Sequence, residues 1–212
     1  MASARPARAV PESCRATDLC HERTNPWPRP RDRIDSDRRE APVVIGVEVM
    51  KGMVAYDSVH GNTKQVAEAI AEQIRSDGHQ VDLVSVKEKK GGEAVGEFMF
   101  IGSPTRGGRM TKEAKEFIEG LDPERWKGRP IVAFDTVGPL SKDEEKRKNT
   151  LKTIEDSSKT AAAKMQECLR ERGLSVHPKA LHVAVTGMWG PLASDALGMA
   201  RTFAHQFMAA LK

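Results

Sequence analysis

Val54-Ala55-Tyr56-Asp57-Ser58-Val59-His60-Gly61-Asn62-Thr63 begins as an apolar run and ends in small, hydroxyl-bearing residues, and Lys64-Gln65-Val66-Ala67-Glu68-Ala69-Ile70 follows at once. The first part predicts a buried strand, and the apolar spacing of three and four behind the loop predicts a helix. Such a junction turns loop N–H groups and the positive end of the helix dipole toward one point, which suits that point to a phosphate. Ser58 and Thr63 add hydroxyl donors, Gly61 allows close backbone approach, and the amides of residues 59–63 supply the remainder, so no Lys or Arg is required. The plainer alternative is a strand-to-helix turn capped by Asn62.

The same alternation continues outward from this junction. Asp77-Gly78 closes the helix, and residues 79–86 read as a second strand through Val81, Leu83 and Val86. Phe98-Met99-Phe100-Ile101 is a continuous apolar run, as a strand buried on both faces requires, and it ends at Gly102-Ser103-Pro104-Thr105. Thr111 can cap a helix carrying Ala114, Phe117, Ile118 and Leu121 on one face, and Pro130-Ile131-Val132-Ala133-Phe134 is a fourth strand. Residues 141–156 are dense in charge, with Leu151 and Ile154 as anchors, and read as a solvated helix. Ser157 or Ser158 then caps a helix with Ala161, Ala162, Met165, Cys168 and Leu169 inward and Gly173 at its end; whether the two stretches are one helix is open. Residues 181–185 form a fifth strand, and 192–211 a last helix with Leu197, Ala200, Ala204, Phe207 and Leu211 on one side. Strands alternating with helices imply a parallel sheet covered on both faces.

Composition changes near residue 50. Residues 1–49 hold nine Arg and no Lys, eight acidic residues, six of the twelve Pro and two of the three Cys. Too little apolar surface is present to offset the entropy of ordering, so this extension is expected to be disordered, and its acidic residues argue against a transit peptide. We expect it to be translated upstream sequence, with Met50 or Met53 as the start; peptides from it in protein of natural origin would contradict that. Residues 50–212 form the single folded domain.

That domain carries 25 basic and 22 acidic residues, a net +3 too small to imply nucleic acid, and no basic stripe interleaved with aromatics supports such binding. No run of 18 apolar residues predicts a membrane span. One cysteine, Cys168, suits a reducing cytoplasm. The six His show no metal-ligand spacing, and no second Gly-rich dinucleotide fingerprint occurs.

Over residues 50–212 the chain resembles the flavodoxins, in particular the short flavodoxin-like proteins of archaea and anaerobic bacteria. The resemblance rests on Ser58-Val59-His60-Gly61-Asn62-Thr63, which matches the family's phosphate loop, together with Gly102-Ser103-Pro104-Thr105-Arg106-Gly107-Gly108 and Phe134-Asp135-Thr136. It implies an α/β three-layer sandwich, with a five-stranded parallel sheet of order 2-1-3-4-5 and FMN at the carboxyl ends of the strands. The implied cofactor-binding residues are Ser58, Val59, His60, Gly61, Asn62 and Thr63 at the phosphate, Ser103, Pro104, Thr105, Arg106 and Gly107 at the flavin edge and ribityl chain, and, through backbone amides, Asp135, Thr136, Val137 and Gly138 at the ring; Arg106 either lies over the ring, binds a substrate anion or is a surface residue. His60 either bonds the phosphate or faces solvent; protonated beside the phosphate, it would strengthen binding at low pH.

The chain departs from the family where Arg106 and Val137 stand in place of the usual aromatic covers of the ring. Trp189, after the fifth strand, either covers the ring or packs against the last helix. The expected function is a flavoprotein electron carrier serving a redox partner protein or a small-molecule acceptor. The alternatives are an NAD(P)H-dependent FMN oxidoreductase and an interaction module without tight FMN binding. The insert at 141–156 is a solvated helix, a shield for the flavin, a docking element for a partner, or a homodimer contact.

Overall fold

The computed structural model describes residues 48–155 and 157–211. Five strands, β1 (Lys51–Tyr56), β2 (Gln80–Ser85), β3 (Phe98–Pro104), β4 (Ile131–Val137) and β5 (Leu181–Ala184), alternate with helices α1 (Asn62–Ser76), α2 (Lys112–Glu119), α3 (Glu144–Glu155), α4 (Ala161–Glu171) and α5 (Ala196–Ala210). All neighbouring strands pair in parallel, in the order β2-β1-β3-β4-β5, as the sequence reading expects. The disorder expected of residues 1–49 falls, apart from its last two residues, outside the described residues.

Register brings the functional loops to one edge. Tyr56 lies opposite Gly102, Pro104 opposite Thr136, and Val137 opposite Ala184, so the loops after β1, β3, β4 and β5 leave the sheet side by side. Strand order reverses between β1 and β3, and that switch point opens the crevice in which sheets of this kind hold ligands.

The apolar runs divide between two faces. Val54, Phe98, Phe100, Val132 and Phe134 pack with Ile70 and Ile74 of α1 and Ala204 and Phe207 of α5, while Met53, Met99, Ile101 and Ile131 pack with Phe117 of α2 and Met165 and Leu169 of α4. Alternate residues of β3 therefore enter opposite cores, which explains why its sequence is apolar throughout. Each fully buried side chain of this size contributes about 1.5–3 kcal/mol by leaving water.

Several boundaries differ from the sequence reading. Thr111 caps α2 as expected, accepting from the Ala114 amide, but the cap of α4 is Thr160, accepting from the Ala163 amide. Ser157 and Ser158 lose that place because Ser157 closes α3, its amide donating to Ile154 O. The two helices are consequently separate. Cys168 packs against the core while only half-buried, and Gln166 is buried as well, donating to the carbonyls of His177 and Pro178. In α3 the surprise is Arg147, 2% exposed inside a charged run read as solvated; it pairs with Asp195 at 2.9 Å and donates to the carbonyls of Ser141 and Lys142. α5 begins at Ala196, because residues before it continue the sheet edge: Leu192 bridges Val185 and the Ala193 amide donates to Ala184 O. Among the described residues no helix is long and apolar enough to cross a membrane.

Candidate functional site

The loop after β1 is anchored at its start and open at its end. The Asp57 amide donates to Gly102 O at 2.9 Å, tying the loop to β3. The Asp57 carboxylate is buried, and Lys87 Nζ lies 3.1 Å from Oδ1, offsetting a charge that would otherwise oppose an anion nearby. Gly61 is the N-cap of α1 with φ 85° and offers no side-chain cap, and no acidic residue occupies the first turn. No backbone hydrogen bond uses the amides of residues 58–61 among the described residues. Ser58 Oγ is buried with no hydrogen-bond partner. Helix end, loop amides and hydroxyl together form an uncommitted donor set of the kind that binds phosphate.

Asn62, read as a possible cap, has another role: its Nδ2 donates to Trp189 O at 3.0 Å. The His60 and Trp189 rings meet edge-on with centroids 4.4 Å apart. The loop after β5 thereby leans on the loop after β1, and Trp189 remains 60% exposed and so is not packed into the helical layer. Thr63 Oγ1 lies 3.0 Å from Thr136 Oγ1, linking the start of α1 to the end of β4.

Around these contacts lies a cavity of about 260 Å³. Of the residues expected to bind the cofactor, Val59, His60, Asn62, Thr63, Pro104, Thr105, Arg106, Gly107, Thr136 and Gly138 line it. Arg106 and Arg109 exchange backbone bonds of 3.0 and 3.2 Å across Gly107 and Gly108, whose φ values of 58° and 75° give the two left-handed positions a tight hairpin needs. Sequence reasoning left out Val185, Gly187 and Met188, which also line the cavity; the dense glycines around Met188 and Trp189 after a strand are the signal that points to them.

Ser58, Gly61, Ser103, Asp135 and Val137 do not line the cavity. Ser58 and Gly61 lie in the adjoining loop after β1, and the hydroxyls of Ser103 and Thr105, expected to contact the flavin, are engaged within the protein, as is the Asp135 carboxylate. Ser103 Oγ accepts from the Thr111 amide at 3.0 Å and fixes the entry to α2. Thr105 Oγ1 donates to Asp135 Oδ2 at 2.8 Å while accepting from the Ala161 amide at 2.7 Å, so its proton is already committed. Asp135, 0% exposed, also accepts from the Ala162 amide at 3.0 Å, and its other oxygen lies 2.8 Å from His182 Nδ1. A buried carboxylate needs this many donors, and the N-terminus of α4 supplies part of the compensation. Burial by itself opposes a charged His182, but the hydrogen bond and charge of Asp135, with Glu155 adding to them, outweigh it and hold the pKa above the usual 6.5.

No group of three His, Cys, Asp or Glu side chains able to hold a metal ion occurs among the described residues. The arrangement places unpaired donors beside a partly apolar cleft.

Residues 53–206 match the family model described as a flavodoxin domain. A flavodoxin of Aquifex aeolicus is 33% identical over 93 residues, 42% of this chain and 50% of the relative. An uncharacterised protein of Methanocaldococcus jannaschii is 28% identical over 109 residues, 49% of this chain and 28% of the relative. The chain thus spans half or less of the curated relatives it matches. Among solved structures, a flavodoxin from the domain Archaea superposes with a TM-score of 0.57 at 24% identity, covering 76% of this chain and 99% of that one. Flavodoxin 2 of Bacillus cereus gives 0.57 at 21% identity, covering 76% and 99%. These structural likenesses bear on the fold.

Proposed function

This chain belongs to the flavodoxin family, and from that premise we propose that it binds FMN in the strand-end cavity and carries electrons between redox partners. The observation that supports the reading most is the uncommitted donor set: a buried Ser58 hydroxyl without a partner beside an α1 terminus without a side-chain cap. An unsatisfied buried hydroxyl costs about 1–3 kcal/mol, and a phosphate oxygen there removes that cost. FMN, when bound, supplies the redox chemistry, so the protein needs no acid or base of its own.

The chain's part is binding and tuning. Ser58, the loop amides and Thr63 hold the phosphate end, with Lys87 neutralising Asp57 behind it. Thr136, Gly138 and the hairpin at Gly107 border the flavin, whose potential responds to the backbone dipoles around it. Trp189, braced by His60 and Asn62, takes the covering role that family members give to aromatics in the two preceding loops. The exposed apolar rim of Val59, Met188 and Trp189 is the surface through which a redox partner approaches.

A second reading, an oxidoreductase that takes hydride from NAD(P)H, is favoured by Arg106 and Val137, which leave one ring face without an aromatic cover. The test is to release the bound flavin by heat, identify it by chromatography, and then add NADPH anaerobically to the intact protein. Release of FMN with no NADPH-driven turnover supports the carrier. Multiple turnover with a quinone supports the enzyme, and failure to bind micromolar FMN overturns both.

A further inference from the structure

A second cavity, about 860 Å³ in volume, lies beside the first residues of β5 and shares no lining residue with the one at the strand ends. Its volume falls within the range of about 300–1,000 Å³ usual for small-molecule sites. Leu151 of α3 and Met199 and Phe203 of α5 make its apolar walls. His182, 7% exposed, is among its lining residues. Because Asp135 engages Nδ1 at 2.8 Å, Nε2 is the nitrogen left for the cavity, and no hydrogen bond from the described residues occupies it. Gln166, the other deeply buried polar side chain on this wall, is satisfied by the carbonyls of His177 and Pro178.

We propose that this cavity binds a small apolar carboxylate, whose oxygen accepts from His182 Nε2–H while its ring or chain packs against Leu151, Met199 and Phe203. The charges facing His182 are consistent with that polarity. Asp135 of β4 is enclosed behind the imidazole and favours its charged form. Lys179, just before β5, adds a cation at the exposed rim. Of the two acids on the wall, Asp195 before α5 is paired with Arg147 at 2.9 Å, and Glu155 of α3 is exposed at the rim, where water weakens its repulsion of an anion while it still favours a charged His182. Burial lowers the His182 pKa, but its bond to Asp135 and the charges of Asp135 and Glu155 raise it overall, so the Nε2–H donor persists toward neutral pH. A bound carboxylate raises that pKa further, and affinity must fall as pH rises through it.

The inference is independent of FMN binding and is tested on the full chain without added flavin. The His182 Cε1–H NMR signal is followed while phenylacetate, or its neutral amide as control, is added to the protein. We expect a saturable shift with phenylacetate, about fivefold or more tighter near pH 6 than near pH 9, and about fivefold weaker binding of the amide. Gly198 lines the cavity and has open space where a Cβ would stand, so Gly198→Phe introduces a bulky side chain at the site and should abolish the shift. His182→Gln should lose binding about fivefold or more; if that variant does not fold, Gly198→Phe decides. No saturable shift, equal binding of acid and amide, or binding unchanged in Gly198→Phe overturns the proposal.

Discussion

His182 Nδ1 sits 2.8 Å from Asp135 Oδ1, and this contact joins β5 to the network that starts α4. The other Asp135 oxygen accepts from Thr105 Oγ1 and the Ala162 amide, so one buried carboxylate holds together the loop after β3, the strand β4, the helix α4 and the strand β5. Its removal leaves three donors without an acceptor. Asp135→Ala should lower unfolding stability by about 3–5 kcal/mol, measured from urea midpoints.

The same pair makes stability depend on pH. The folded pKa of His182 lies above its unfolded value of 6.5. The contribution is therefore full below that unfolded value and is lost as pH rises through the folded one. Wild type should exceed His182→Gln in stability by more near pH 6 than near pH 9, in paired denaturant titrations. A gap that stays constant or widens with rising pH would contradict this linkage.

Arg147 anchors α3 with an almost fully buried guanidinium paired to Asp195. Replacing it by Ala strands the Asp195 carboxylate and two carbonyls, and should cost about 3–5 kcal/mol. Hydrogen exchange should then accelerate in α3 well before β4, because α3 has few other buried residues.

Trp189 rests against His60 with its ring largely exposed. If it covers the flavin, FMN addition should quench its emission, and Trp189→Ala should weaken FMN about tenfold, for the loss of about 1.5 kcal/mol of aromatic contact. Unchanged affinity and emission would place the ring elsewhere.

Much of the fold was legible because it rests on local patterns. The strand β3 reads directly from Phe98-Met99-Phe100-Ile101, and the α2 cap from Thr111. The unpaired donors after β1 were equally visible, since they lie within six consecutive residues. What stayed hidden depends on partners distant in sequence. The anchoring role of the Asp135 side chain shows only once His182, 47 positions later, and the Ala162 amide are brought to it. Arg147 looks like one more charge on a solvated helix until Asp195, 48 positions on, draws it inward. Thr160 displaced the two serines as a cap because α3 ends only at Glu155, with Ser157 needed to close it.

The proposed phosphate site at residues 58–63 is isolated by a comparison of FMN with riboflavin, because the two differ only in the phosphate. Calorimetric titration of flavin-free protein should give one FMN per chain with affinity about a hundredfold or more above that for riboflavin, from two or more charge-assisted hydrogen bonds. Ser58→Ala combined with Thr63→Val should close that gap by about tenfold or more and leave riboflavin binding unchanged. Equal affinity for the two flavins, or a gap untouched by the double variant, would contradict phosphate binding at residues 58–63.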